Sequence, residues 1–305
     1  MVRYIAKRVL LSVFTLWLVA TITFALMFMV PGGPFLAEKT PSAATLEALN
    51  QKYGLDQPKI VQYRNYMVKF IQGDMGVSLK QRGRTVSQII STGFKVSAKI
   101  GGLSILIAVL IGVPLGCIAA LNRGKWLDNV IIVVATCGIA VPSFVVATIL
   151  MIIFSVKLGI LPTYGLTSWQ HYLMPVAALA FYPTAYISRL MRSSMLEVLG
   201  QDYMRTARAK GLSQFWMLFK HALRNAILPV VTYLGPLIAY TLTGSFVVEK
   251  IFTIPGLGNA FISSILNRDY TMIMGTTIFL AALIILMNLV VDVAYKIIDP
   301  RIKLK

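Results

Sequence analysis

Six apolar stretches without a charged side chain constrain the fold of this chain more than any other feature. Each is about 20 residues long, the length that an α-helix needs to cross a bilayer. Lipid offers no hydrogen-bond partners, so separate apolar segments cross it as helices. The stretches are Val9 to Val30, Ile100 to Leu121, Val130 to Val156, Tyr172 to Ser188, Ala226 to Val248 and Thr271 to Val291. The sequence therefore predicts an all-α integral membrane protein with six transmembrane helices, in a single domain of residues 1–305.

The composition supports the same class. Of the 305 residues, 57 % are hydrophobic and 13 % are charged, whereas soluble domains carry about 25 % charged residues. Arg3, Lys7 and Arg8 precede the first stretch, as basic residues precede a secretory signal. That stretch is longer than an ordinary signal core and ends in a Pro-Gly-Gly-Pro run. We therefore interpret it as a retained membrane anchor.

Basic residues predict the orientation, because the cytoplasmic flanks of membrane helices carry an excess of Lys and Arg. With both termini cytoplasmic, the inner segments carry sixteen Lys and Arg and the short outer loops carry three. The first outer loop, residues 31–99, holds the other ten but is too long for the rule to apply well. The net charge of +18 then reflects membrane orientation and anionic lipid headgroups. Nucleic acid is not expected as a partner.

One inner loop stands out because it is long, polar and basic. We call residues 189–225 the basic loop; it holds seven Lys and Arg and is predicted to lie in water. Asp202 opens a predicted helix that Gly211 ends. Apolar residues then recur on one face of a second helix: Leu212, Phe215, Trp216, Phe219 and Leu223. We expect Phe215, Trp216 and Phe219 to hold this second helix against the bundle, leaving Gly211 and the first helix exposed.

The first outer loop is predicted to contain two helices. Ser42 can cap a helix through Ala43 to Tyr53 that Gly54 stops, and Pro58 suits the first turn of another helix. The second helix carries an apolar face: Ile60, Tyr63, Met67, Phe70 and Ile71. We expect a helical cap on the outer surface. A second outer segment, Glu249 to Tyr270, is interrupted by Gly and Pro and is expected to dip towards the bundle.

Residues for enzymatic chemistry are scarce in this sequence. No Gly-x-x-x-x-Gly-Lys-Ser/Thr run is present, so the chain is not expected to bind ATP through a P-loop. His171 and His221 lack neighbouring Cys or acidic clusters, and Cys117 and Cys137 fall within apolar stretches. The only acid predicted to touch a stretch is Asp292, at the inner end of the sixth, where it is interpreted as a helix-end group paired with Lys296 and not as a proton relay. Carriers driven by protons or sodium usually need ionisable groups in the membrane, so energy is expected to come from another subunit.

The basic loop carries a resemblance to a known family. The run YMRTARAKG from Tyr203 to Gly211, followed by HALRNAILPV, resembles the cytoplasmic coupling loop of binding-protein-dependent ABC importer permeases. Further matching runs cover almost the whole chain: Pro31–Phe35, Gly73–Gly76, Val96–Lys99, Val141–Phe144, Gly244–Phe246 with Glu249, Pro255–Gly258, Asn267–Tyr270 and Asp299–Arg301. The likeness is greatest to the oligopeptide, dipeptide and nickel branch, and within it to the B-type permease subunit of oligopeptide importers.

The chain also departs from the general importer pattern. Arg205-Thr206-Ala207 stands where a Glu-Ala-Ala run is usual, and Ile227-Leu228-Pro229 follows Gly211 after sixteen residues instead of about ten. The peptide branch tolerates both differences. Contacts known for sugar importers should therefore not be transferred unchanged to this loop.

The resemblance implies a type I ABC importer permease fold in the bacterial inner membrane and a non-enzymatic transport role. It assigns contact with an ATPase to one set of residues: Tyr203, Arg205, Thr206, Ala207, Ala209, Lys210 and Gly211. The implied partners are a paralogous six-helix permease, two ATP-binding subunits, an extracytoplasmic peptide-binding protein, the peptide and membrane lipid. This chain would hold no cofactor, because ATP and Mg²⁺ bind the ATPase subunits. The outer segments would then either receive the binding protein or simply pack as loops.

Two other function classes fit the sequence less well. A secondary carrier is disfavoured by the charge-free stretches. An intramembrane enzyme or receptor is disfavoured because paired acids, Ser/Lys or Ser/His arrangements and a cytosolic signalling domain are lacking in the sequence. On this hypothesis, Gly211→Val or Ala207→Glu would leave folding intact and uncouple transport from the ATPase.

Overall fold

The computed structural model shows a helical protein and describes residues 2–29, 33–35, 42–213 and 216–298. The α-helices, in chain order, are α1 Val2–Met29, α2 Ala43–Tyr53, α3 Lys59–Ile71, α4 Val86–Leu121, α5 Trp126–Ala140, α6 Ser143–Leu150, α7 Gln170–Leu199, α8 Asp202–Ala209, α9 Leu223–Ala226, α10 Leu228–Leu242, α11 Phe246–Ile251, α12 Leu257–Leu266 and α13 Tyr270–Ile298. Two π-helical segments, Met151–Lys157 and Met217–Ala222, extend α6 and precede α9. The predicted all-α class is confirmed.

Several helices are long and apolar enough to cross a membrane. Within the described residues these are Ala6–Met29, Val86–Leu121, Leu228–Ile251 and Tyr270–Val290. A fifth crossing results if the bent pair Trp126–Ala140 and Ser143–Lys157, whose axes differ by 101°, forms one span. The predicted stretch Tyr172 to Ser188 lies in α7, a 30-residue helix that continues into the basic loop. The total of six spans and the cytoplasmic location of the termini remain predictions.

Helices α4 and α7 pack along one another and form the centre of the bundle. Glycine makes their close approach possible. A Cβ atom at Gly116 would lie 2.5 Å from the Ser188 carbonyl oxygen, and one at Gly112 would lie 2.9 Å from the Thr184 carbonyl oxygen. Membrane helices associate through such small residues because apolar burial provides little driving force in lipid. Substituting either glycine with a larger residue would force the two helices apart.

Both helices predicted in the first outer loop are present. The Ser42 hydroxyl accepts from the Thr45 backbone N–H at 3.3 Å, and Gly54 ends α2 with a φ of 65°. Helix α3 contacts α1, where the Tyr63 hydroxyl lies 2.7 Å from Thr21 Oγ1. The predicted apolar face is only partly correct, because Ile60 and Ile71 are 82 % and 80 % exposed. The apolar face by which α3 packs on the rest of the protein is therefore narrower than the sequence predicted.

The second outer segment packs into the bundle, as the sequence predicted. Within it, Glu249 is only 2 % exposed. Its carboxylate accepts from Ser97 Oγ on α4 at 2.6 Å and from the Asn259 backbone N–H on α12 at 2.9 Å. The Ser97 hydroxyl oxygen in turn accepts from the Leu257 N–H at 2.8 Å. These bonds join the start of α12 to α4.

Glu249 also corrects one interpretation of the sequence. It lies in the apolar segment Leu228–Ile251, so Asp292 is not the only acid associated with a span. The sequence placed Glu249 just outside the fifth stretch because the stretch was ended at the first charged residue. A secondary carrier is therefore no longer disfavoured by an absence of charged residues from the spans. Side chains at 291–298, including Asp292 and Lys296, lie outside the described side chains.

Candidate functional site

The basic loop begins as a continuation of α7. The helix runs on from Ser188 to Leu199, so residues 189–199 are helical rather than a separate loop. The side chains of Met191 and Met195 are buried in this extension. They join an apolar cluster with Met204 of α8 and Met217 of the second π-helical segment. The part of the basic loop that the structure describes is therefore packed on itself and on α4.

Arg192 anchors this extension through an ion pair that sequence reasoning missed. Arg192 Nε donates to Asp128 Oδ1 at 2.6 Å, and a second guanidinium nitrogen donates to Asp128 Oδ2 at 2.8 Å. Asp128 is 1 % exposed and also accepts from the Gly124 N–H at 2.9 Å. Paired bonds between a guanidinium and a carboxylate are directional and strong. The expectation that every basic residue of the loop lies free in water is wrong for Arg192.

A sequence signal for this pair existed. Asp128 lies in the first turn of α5, just after Arg123 and Lys125 and at the edge of an apolar stretch. An acid that becomes buried at such a position needs a counter-charge. The sequence offered several basic candidates, and only the fold identifies Arg192 as the partner.

Helix α8 presents one buried face and one exposed face, as the periodicity of an amphipathic helix requires. Met204 and Ala207 are 1 % and 7 % exposed and face the cluster. The remaining six residues assigned to ATPase contact are exposed: Tyr203, Arg205, Thr206, Ala209, Lys210 and Gly211. The expectation that Ala207 is accessible is wrong, because it lies three residues after Met204 on the same side of the helix.

Gly211 forms the turn that the sequence predicted. Its φ is 74°, a conformation that costs a residue with a Cβ about 1–2 kcal/mol. The Gly211 N–H donates to the Arg208 carbonyl at 3.0 Å and closes the end of α8. A Cβ atom at this position would meet no atom within 4 Å. The glycine is therefore required by the backbone conformation and not by crowding within this chain.

The segment after the turn packs differently from the prediction. Met217, Ala222 and Ala226 are buried, whereas Trp216 and Phe219 are 60 % and 57 % exposed. Phe215 lies outside the described residues. A π-helix bonds residue i to i+5 and so holds more residues per turn than an α-helix. A face calculated with the α-helical period therefore rotates away from the bundle, which explains why Trp216 and Phe219 point outward.

A hydrogen bond ties the exposed helix to this returning segment. Asn225 Nδ2 donates to the Tyr203 hydroxyl at 3.0 Å, and Asn225 is the last residue before the buried Ala226. On the outer face of α8, Arg205 lies 3.7 Å from Asp202, with both side chains mostly exposed. An exposed pair of this kind contributes little to stability. The site is thus a short basic helix and a glycine turn, held on a packed base and presented to solvent.

Comparison with known proteins identifies the family. Residues 112–304 match the family model described as binding-protein-dependent transport system inner membrane component. Residues 1–98 match the model for the N-terminal region of such membrane components. The first match alone covers more than half of the chain.

Individual relatives align with this chain over its full length. The chain is 48 % identical to the dipeptide transport system permease protein of Bacillus subtilis, covering 100 % of this chain and 99 % of the relative. It is 41 % identical to the oligopeptide transport system permease protein of Haemophilus influenzae, with coverages of 99 % and 100 %. It is 42 % identical to the glutathione transport system permease protein of Salmonella choleraesuis, with 100 % of each chain covered.

Solved structures show the same fold at lower identity. An amino acid ABC transporter chain aligns with a TM-score of 0.53 at 20 % identity, covering 71 % of this chain and 95 % of the other. A methionine ABC transporter chain in an inward-facing conformation aligns with a TM-score of 0.55 at 15 % identity, covering 70 % and 97 %. The chain therefore belongs to the binding-protein-dependent transport system inner membrane components, and it is a multi-pass protein of the bacterial inner membrane.

Proposed function

We propose that this chain is one of two permease subunits of an ATP-driven importer of oligopeptides and that it forms half of the translocation pathway. The observation that carries the proposal is the exposed helix α8 with its Gly211 turn, packed on the bundle through the buried Met204 and Ala207. A helix that projects from a membrane bundle and is anchored on one face is suited to transmit force from a soluble subunit. Family membership supports the same role.

In this proposal, a paralogous permease completes the pathway and two ATPase subunits bind ATP and Mg²⁺ outside this chain. The exposed residues of α8 and Lys210–Gly211 dock into one ATPase subunit. Closure of the ATPase dimer moves the two docked helices together and opens the bundle to a peptide-loaded binding protein on the outer side. ATP hydrolysis returns the bundle to the inward-facing state. The outer helices α2 and α3 and the segment 249–270 shape the mouth that receives the binding protein.

A second substrate class is supported by a specific observation. The dipeptide permease relative is 48 % identical to this chain, compared with 41 % for the oligopeptide relative. The difference in identity favours dipeptides, whereas the likeness of the sequence to the B-type permease subunit of oligopeptide importers favours oligopeptides. The two substrate classes are distinguished by uptake of a peptide series from two to five residues.

The proposal is tested by reconstitution in liposomes. The chain alone is expected to give no concentrative peptide uptake, because its sequence carries no P-loop motif to bind ATP. Addition of the paralogous permease, the ATPases and the binding protein is expected to give uptake that depends on ATP. Concentrative uptake by the chain alone would refute the proposal. So would an assembled complex that hydrolyses ATP but moves no peptide of any length.

A further inference from the structure

A cavity of about 530 Å³, partly open to the surface, lies between α5, α6, α7 and α10, away from the basic loop. Two helix breaks meet at it. The first is the 101° bend between α5 and α6, at Val141 and Pro142. The second is the interruption between α10 and α11, at Gly244 and Ser245. Both breaks lie within candidate membrane spans. Irregular backbone at membrane depth is tolerated where it is buried in protein or lines a water-filled cavity, and broken helices often mark substrate sites in transporters.

Two prolines inside helices also face this cavity. Pro183 of α7 and Pro236 of α10 line it together with Leu179. Because proline has no N–H, the Leu179 carbonyl lacks the donor that an α-helix normally supplies four residues later. Hydroxyl groups of Ser143 and Thr241 add further polar atoms to the wall. The cavity thus offers hydrogen-bonding groups on an otherwise apolar surface.

Tyrosine rings fix one side of the cavity. The Tyr233 ring packs on Tyr186 with ring centroids 4.3 Å apart, and Tyr186 stacks on Tyr182 at 6.2 Å. Tyr182 and Tyr233 line the cavity, and Tyr240 at its edge is 79 % exposed. Within the part of the chain that the structure describes, no charged side chain lines this cavity. Its volume falls in the range of small-molecule sites.

We infer that this cavity is the place where this subunit contacts the peptide in transit, and that it recognises backbone amides through hydroxyl and carbonyl groups. The inference rests on the proposed function and adds the site and its chemistry. An uncharged lining can pass peptides with acidic and basic side chains alike, because it provides neither a counter-ion nor a like charge. Charge selectivity then belongs to the binding protein.

The test places a charge in the cavity of the assembled transporter in proteoliposomes. Ser143→Asp and Ser143→Lys are compared with Ser143→Asn, which is close to Asp in shape but neutral. The substrates are two peptides of equal length that differ only in one Glu or Lys. The Asp variant is expected to lower uptake of the Glu peptide at least tenfold relative to the Lys peptide, and the Lys variant is expected to do the reverse. The Asn variant is expected to keep the wild-type ratio.

The ratio of Glu-peptide uptake to Lys-peptide uptake distinguishes charge recognition from a general loss of activity. The inference would be overturned if both charged variants left this ratio unchanged. If the charged variants do not assemble, a photo-crosslinking residue at Tyr240 replaces them. It is expected to capture labelled peptide during ATP-driven transport, whereas the same group at Val133, 60 % exposed and outside the cavity, is not. Equal capture at the two positions, or none, would also overturn the inference. If wild-type transporter takes up no peptide, the proposed function itself fails.

Discussion

At the scale of single residues, Ala207 and Ala209 illustrate how one helix separates structural from contact positions. Both are small and belong to the same short run, and the sequence offered no reason to treat them differently. Ala207 faces the cluster of Met204 and Met217, whereas Ala209 is exposed beside Lys210. The difference follows from the 3.6-residue period once the buried face is known. It reverses the expectation that Ala207→Glu leaves folding intact.

We therefore expect Ala207→Glu to destabilise the protein and Ala209→Glu to leave it stable. A carboxylate at position 207 would be buried without a partner, at a cost of several kcal/mol. A carboxylate at position 209 would lie in water. Under the proposed function, it would weaken the contact between α8 and the ATPase. Thermal unfolding in detergent and co-purification with the ATPases measure the two effects. Equal melting temperatures for the two variants would contradict the assignment of the buried face.

A second prediction concerns the ion pair between Asp128 and Arg192. Asp128→Asn should destabilise the protein by about 2 kcal/mol, because it removes the charged hydrogen-bond partner of an Arg192 side chain that is only 22 % exposed. Replacing both residues, as Asp128→Asn with Arg192→Met, should recover most of that loss. A double-mutant cycle on the free energy of unfolding measures the coupling. Additive losses would show that the pair does not anchor the extension of α7.

At the scale of helices, the sequence predicted the positions of the helices better than it predicted which side of each helix is buried. The caps at Ser42 and Gly54 and the turn at Gly211 were correct because they depend on local chemistry. The face of Trp216 and Phe219 was wrong because a π-helical segment changes the period. The length of α7 was underestimated because Arg192 was counted as a residue that must lie in water. Its buried partner Asp128 is 64 positions away, and no local pattern reveals such a pairing.

The turn that ends α8 gives a prediction at this scale. Gly211→Val should reorient α8 relative to the returning segment, because a β-branched side chain is strained at a positive φ. Gly211→Asn is the matched control, since Asn tolerates this conformation. We expect the Val variant to fold and insert normally but to lose ATPase binding and peptide uptake, and the Asn variant to keep both. Wild-type transport by the Val variant would show that this turn does not couple the two subunits.

At the scale of the whole molecule, buried polar groups connect both ends of the bundle. Arg192, at the start of the basic loop, joins α7 to Asp128 of α5, while Glu249 joins α11 and α12 to Ser97 of α4. Asp269 adds a third connection by accepting from the hydroxyl of Ser78 and, at 3.1 Å, from the Leu79 N–H. Buried charges must be paired or hydrogen-bonded to be tolerated. The three connections therefore link long helices of the bundle to one another and to the segment 249–270.

The same arrangement makes a prediction about membrane topology. If both termini are cytoplasmic, α2 and α3 lie outside and the Gly211 turn lies inside, separated by an odd number of crossings. Single cysteines at the exposed Asp56 and Arg64 are expected to react with an impermeant maleimide in intact cells. A cysteine at the exposed Ser213 should react only after the membrane is permeabilised. The native Cys117 and Cys137 are first replaced by Ala, and equal labelling of all three positions after permeabilisation provides the control. Labelling of position 213 alone in intact cells would invert the topology, and labelling of all three would require a different number of spans between α3 and α8.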